Sequence, residues 1–277
     1  MHKINNKLSK SIKNIMNLIR KPVMSILPGQ LSFFLLLSII PIILILGIIF
    51  SNISISIKDI SQIVRNTLPA NTSSLLMPLL TGQGIDYNII VLIVSAFLLL
   101  SKGTRSIIRV ANTIYEIKDK TSLKTFIKSF LLSLQLILLI TFLIVFPILG
   151  ARILHLLDNF KIISNLTDEF LVAFNILKWP ITLLIIYINL KFIYKIAPDK
   201  PISKKSVTMG ALFTSVMWIV ITALYSFYIT NLTKYNIFYG SASNIIVLML
   251  WIYLISYIFV LGMSINASYL KNENNLQ

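Results

Sequence analysis

The stretch that decides the fold is YNIIVLIVSAFLLLSKGTRSIIRVANTIY, residues 87–115. Its first fifteen residues, 87–101, carry no charge. That falls short of the roughly 20 residues a helix needs to cross a bilayer core. Beyond Lys102, apolar residues resume at helical spacing with Ile107, Ile108 and Val110. Taken as one helix, residues 87–110 reach about 36 Å at 1.5 Å per residue. The stretch is therefore long enough to cross, and its crossing sets the side on which every later segment lies.

Five more apolar runs flank it, at about 24–50, 130–149, 174–194, 207–229 and 245–268. Hydrophobic residues make up 56% of the 277-residue chain and charged residues 12%, about half the share of a soluble domain. The first run is too long for a signal-peptide core and contains Pro41, so it reads as a retained span. Charge then tests the topology. With the N-terminus in the cytoplasm, the inner segments 1–23, 102–129, 191–206 and 270–277 hold 19 of the 25 Lys and Arg. Were residues 87–110 not to cross, the seven basic residues of 102–129 would fall outside, against the positive-inside rule.

The expectation is an all-α, polytopic protein of six transmembrane helices, occupying 23–270, with both termini cytoplasmic and 271–277 as a short tail. Residues 1–22 place Ile4, Leu8, Ile12, Ile15 and Ile19 on one face among lysines, the pattern of a basic amphipathic helix at a membrane surface. Between 51 and 86, Ile53, Ile57, Ile60 and Val64 precede a turn at Pro69, and Leu75, Leu76, Leu79 and Leu80 follow it. An outer helical hairpin is expected there.

The formal net charge of +16 belongs to the segments between spans, so it does not point to nucleic acid. The chain has no cysteine, and His2 and His155 are far apart. No Asp or Glu lies in the middle of a run. Thiolate or histidine metal centres, proton relays and carboxylate-metal hydrolysis all lack their residues. No metal, cofactor or catalytic residue is expected.

Lys102, Arg105, Arg109, Asn112 and Glu116 are spaced by three or four, which puts them on one helical face. Lys102, Arg105, Arg109 and Asn112 are candidate contacts for an anionic headgroup or substrate. Snorkelling and the insertion signal account for the same basic residues. Gln30, Ser38, Pro41, Asn244 and Asn266 are candidates for a polar path or a kink. Polar residues within spans, including Gln135, Asn189, Ser256 and Ser264, more generally join helices. Trp179-Pro180 suggests that the fourth span starts there, with proline in its first turn. Ala211, Ser215, Thr222, Ser226 and Thr230 form a small-residue seam suited to close helix approach.

Several stretches together resemble the YihY/virulence factor BrkB family. They are residues 30–41 (QLSFFLLLSIIP), residues 101–115, Ala197-Pro198-Asp199, residues 235–241 (YNIFYGS), and 250–253 (LWIY) with 262–266 (GMSIN). The resemblance implies a bacterial cytoplasmic-membrane protein. It carries an older label, ribonuclease BN, which the residue inventory does not serve. Ser264 stands where the family's last motif has Glu, which puts in doubt any mechanism needing that carboxylate.

The function expected is transport or translocation of a lipid-like or anionic amphipathic solute. The alternative is a membrane scaffold of envelope machinery that moves nothing; a ribonuclease is disfavoured. The expected partner is the bilayer, including anionic lipid, with a homo-oligomer or envelope proteins as further candidates; the small-residue seam is either internal or between protomers.

Overall fold

A computed structural model describes residues 20, 22–51, 87–118, 123–159, 167–203, 206–231 and 243–274. It comprises six long helices: α1 (Val23–Ser51), α2 (Tyr87–Ile114), α3 (Leu123–Asn159), α4 (Thr167–Ile196), α5 (Thr208–Asn231) and α6 (Ser243–Asn274). The expected helix over 1–22, the hairpin over 51–86 and the tail beyond Asn274 lie outside the described residues. Long charge-free apolar runs take this form because a helix satisfies every backbone donor and acceptor within itself.

Among the described residues, four stretches are long and apolar enough to cross a membrane: Leu123–Phe142, Ile176–Ile196, Thr208–Ile229 and Ile245–Leu270. Met24–Ile39 is a shorter apolar stretch of α1. The chain is a multi-pass membrane protein, and its surface agrees. Leu134, Leu138, Leu184, Ile188, Leu212, Val216 and Leu224 point outward along α3, α4 and α5. Such a band would be costly in water and is the ordinary surface of a helix in lipid.

Each helix packs on the next in chain order, and α6 closes the ring against α1. Their directions alternate. The start of α1 meets the end of α6, where the Ser264 hydroxyl approaches Met24 Sδ at 3.8 Å. The start of α5 meets the same end of α6, where the Gly210 N–H donates to Asn266. The end of α2, the start of α3 and the end of α4 converge on Asp199. One end of the ring therefore collects Lys118, Lys124, Lys128, Lys195 and Lys200 and is called the basic end below.

Burial divides the ring into two unlike halves. At the basic end the interior is filled by Met24, Leu31, Ile108, Val110, Leu132, Leu190, Ile193, Tyr194, Val260 and Met263, all 2% exposed or less. In the far half, the described stretches of α4 and α5 are largely exposed. Along α5, Thr222, Ala223, Leu224, Ser226, Phe227 and Tyr228 are all exposed. These residues span most of the helix circumference, and between them Tyr225 turns to α6, donating to the Val247 carbonyl at 2.6 Å. On α4, Val172, Ala173, Ile176, Leu177, Trp179 and Pro180 are likewise exposed. Helices α5 and α6 stay joined along their length, because the Trp218 indole also donates to Ile255 O and the Trp251 indole to Thr222.

Two boundaries differ from expectation. Helix α4 begins at Thr167, not at Trp179, and Pro180 lies inside it. The proline removes one donor from the ladder, a loss that membrane helices tolerate through local adjustment. Helix α3 extends ten residues past the expected end at 149.

Candidate functional site

Three polar constellations sit at the basic end. The first is centred on Asp199, in the turn after α4. Its Oδ1 accepts from Lys128 Nζ and its Oδ2 from Asn112 Nδ2, both at 2.8 Å. Its own N–H donates to Asn112 Oδ1 at 2.9 Å, and Lys128 also reaches the Pro198 carbonyl at 2.7 Å. One carboxylate thus ties α2, α3 and the end of α4 together. Asn112 is 1% exposed and belongs to this latch, not to the outward stripe. It lies three residues beyond Arg109, about 60° round the helix, which is enough to turn it from surface to interior.

The second constellation joins α4, α5 and α6. The Tyr194 hydroxyl donates to the Phe259 carbonyl at 2.8 Å and so accepts from Thr214, also at 2.8 Å. Beside it, Gly210 and Gly262 let the backbones of α5 and α6 nearly touch. The third clasps α2 to α3, where Thr104 Oγ1 meets the Ser129 carbonyl at 2.8 Å and Ser133 Oγ at 3.0 Å. Phe97 packs on Phe130 in the same seam, ring centroids 4.5 Å apart.

On the other side of that clasp lies the basic stripe. Lys102 and Arg109 are exposed and Arg105 is half-buried, so all three face away from the filled interior. Among the described residues, no carboxylate forms an ion pair with any of them. The Arg105 guanidinium sits 5.6 Å from the centre of the Phe126 ring, a contact of the cation–π type. Between α2 and α3 runs an open groove of about 500 Å³ lined by Ser95, Leu98, Ser101, Lys102, Arg105 and Phe126.

Among the described side chains, the path candidates Ser38 and Asn266 lie on separate seams. Ser38 is buried on the seam of α1 with α2, touches Gly103, and donates to Phe34 O of its own helix. Asn266 is buried where α5 crosses α6. Met24 is level with Ser264, and Ser38 lies fourteen residues further along α1, about 21 Å away. Gln30 is half-buried on α1; the side chains of Pro41 and Asn244 lie outside those described. Gln135 bonds to Asn189, joining α3 to α4. Ser264 donates to Val260 O within α6 and packs on α1. The seam on α5 is divided, with Ala211 and Ser215 buried and Thr222 and Ser226 exposed.

The Asp199 latch and the glycine crossing were not anticipated as sites. The signal for the latch was slight: Asp199 is the only acidic residue between 191 and 206.

A ring of six helices with a lipid-type surface and a basic end defines a class: an all-helical integral membrane protein with its structural polar contacts gathered at one end. Within that class, the chain belongs to the virulence factor BrkB family, whose model matches residues 22–277. It is 29% identical over 247 residues to a Bacillus subtilis protein named as ribonuclease-like, YfkH, covering 86% of this chain and 87% of that one. It is 25% identical over 259 residues to a UPF0761 membrane protein of Vibrio campbellii, covering 89% and 77%. A UPF0761 membrane protein of Vibrio parahaemolyticus matches to the same extent. No solved structure matches.

Proposed function

We propose that the protein moves a lipid-like, anionic amphiphile across the cytoplasmic membrane of a bacterium, with Lys102, Arg105 and Arg109 as contacts for its headgroup. All six helices cross in this reading, with the basic end and both termini in the cytoplasm. The distribution of Lys and Arg supports that orientation. The observation that carries the reading is the direction of the stripe. Its cations face outward while the ring behind them is filled. A solute dissolved in water would have to pass the packed interior, whereas a lipid approaches from the side the cations face.

The test is flux of a fluorescent anionic phospholipid in proteoliposomes. The double variant Arg105→Ala, Arg109→Ala is expected to abolish it while leaving the thermal transition in place. Normal flux in that variant would sink the assignment.

The filled interior among α1, α2 and α6 favours a second reading, a scaffold for envelope machinery that transports nothing. Wild-type proteoliposomes with no flux above empty ones would select it. A ribonuclease has only the name of the Bacillus subtilis relative in its favour. Among the described residues, no group of His, Cys, Asp or Glu has the arrangement to hold a metal ion.

A further inference from the structure

The wall of the groove between α2 and α3 holds a buried polar atom with nothing to bond among the described residues. Ser101 is 3% exposed, and its Oγ has no hydrogen-bond partner among the described residues. It lies in the groove wall beside Lys102 and Arg105. A buried hydroxyl without a partner costs free energy unless something supplies one. Next to two cations, the fitting partner is an anionic oxygen, which accepts from the hydroxyl while the charges hold it.

The rest of the groove says what that oxygen is attached to. Helix α2 descends from the far end, so Leu98 and Ser95 lie about two and nearly three turns deeper than Arg105. Val94 and Leu98 are about half exposed there, and Phe130 and Leu134 line the facing helix α3 at 45% and 44%. The groove is thus cationic at the basic end and apolar toward the mid-plane. A free phosphate would leave the deeper part bare; a phospholipid standing in the leaflet fills both. The Thr104–Ser129–Ser133 clasp holds the two helices at fixed spacing behind it. The Phe126 ring keeps the Arg105 guanidinium at the groove.

We propose that Ser101, Lys102 and Arg105 bind the phosphate of an anionic phospholipid whose acyl chain lies along Leu98 and Phe130. This deepens the proposed function by giving its headgroup contact a place and a ligand class, and it rests on that reading only for the meaning of the site. Binding needs no movement of lipid, so the two fail separately.

The full-length protein in detergent is titrated with phosphatidylglycerol or phosphatidylcholine, and bound lipid is counted by native mass spectrometry. Phosphatidylglycerol should bind at least tenfold more tightly. Lys102→Gln with Arg105→Gln should remove that preference, and Ser101→Ala should weaken binding severalfold. Lys195→Gln with Lys200→Gln removes the same charge from the same end and should change nothing. Equal binding of the two lipids overturns the proposal. So does an equal loss in the Lys195, Lys200 variant, which would mean bulk charge alone. Inorganic phosphate at millimolar concentration should not displace the lipid; full displacement would mean a free-anion site and would also overturn it. Flux lost with binding intact would count against the transport site but not against this one.

Discussion

Two glycines in the same ring should respond to alanine with opposite sign. At Gly262 an added Cβ would lie 1.9 Å from Thr214 Oγ1, 2.8 Å from the Tyr194 hydroxyl and 2.9 Å from the Gly210 carbonyl. At Gly210 it would lie 2.1 Å from the Gly262 carbonyl oxygen and 2.5 Å from Asn266 Oδ1. A carbonyl in a helix cannot rotate aside as a long side chain can. To bring 2.1 Å out to the 3.4 Å where ordinary contact begins, α5 and α6 must separate by 1.3 Å. The Gly210 N–H bond to Asn266, now 2.7 Å, would be stretched toward 4 Å, and the Tyr194 hydroxyl, held between Thr214 of α5 and Phe259 of α6, could not keep both partners. Overpacking alone costs about 1–3 kcal/mol. Leaving a buried polar group unpaired adds about 1–3 kcal/mol. Gly262→Ala and Gly210→Ala should therefore each cost roughly 3–5 kcal/mol.

Gly29 on α1 has nothing within 4 Å of an added Cβ. Gly29→Ala should gain about 0.5–1 kcal/mol from the lower conformational entropy of alanine. Gly103 falls between, because only the Ser38 hydroxyl lies within 3.0 Å of an added Cβ there and the nearest backbone atom, Phe34 O, is at 3.1 Å. Unfolding of the full chain in mixed detergent micelles, followed by circular dichroism, ranks the four. Equal costs at Gly29 and Gly262 would refute the argument that backbone approach at the α5–α6 crossing holds the basic end together.

Two further outcomes are expected. Asp199→Ala should cost about 2 kcal/mol, below the full value for a buried pair because Lys128 is 25% exposed. Combined with Asn112→Ala it should be distinctly less than additive, measured as a double-mutant cycle by the same unfolding. The chain has no cysteine, so single cysteines report topology without a background. Lys200→Cys should react with an impermeant maleimide only after the cells are opened, and Asp168→Cys in intact cells. The reverse pattern would overturn the orientation.

What was legible from sequence follows from how membranes constrain it. Apolar runs must become helices in lipid, and basic loops mark one side, so the helix order was accessible without any contact being known. The outward stripe was visible as spacing, but spacing gives a face and not its direction. Only the partners of the opposite face, Thr104 with Ser129 and Asn112 with Asp199, decide which side is inside. Those partners are 25 and 87 residues away, and no local pattern names them. Pro180 misled for a related reason. Proline commonly marks a helix start in water, where a chain that breaks there leaves backbone groups that water can satisfy; in lipid a break costs more than the one lost bond, so the helix runs through.

The closure of α6 on α1 sets an order of events for the growing chain. Met24 and Ser264 lie 240 residues apart and meet in one seam. If all six helices cross, as proposed, the first enters the membrane long before its second neighbour has been translated. Until then one flank of α1 has only lipid beside it. A ribosome that stops before residue 262 leaves an open arc, not a smaller ring. Quality-control proteases that sense unpaired flanks in the bilayer would thus read this chain's completeness at its first helix.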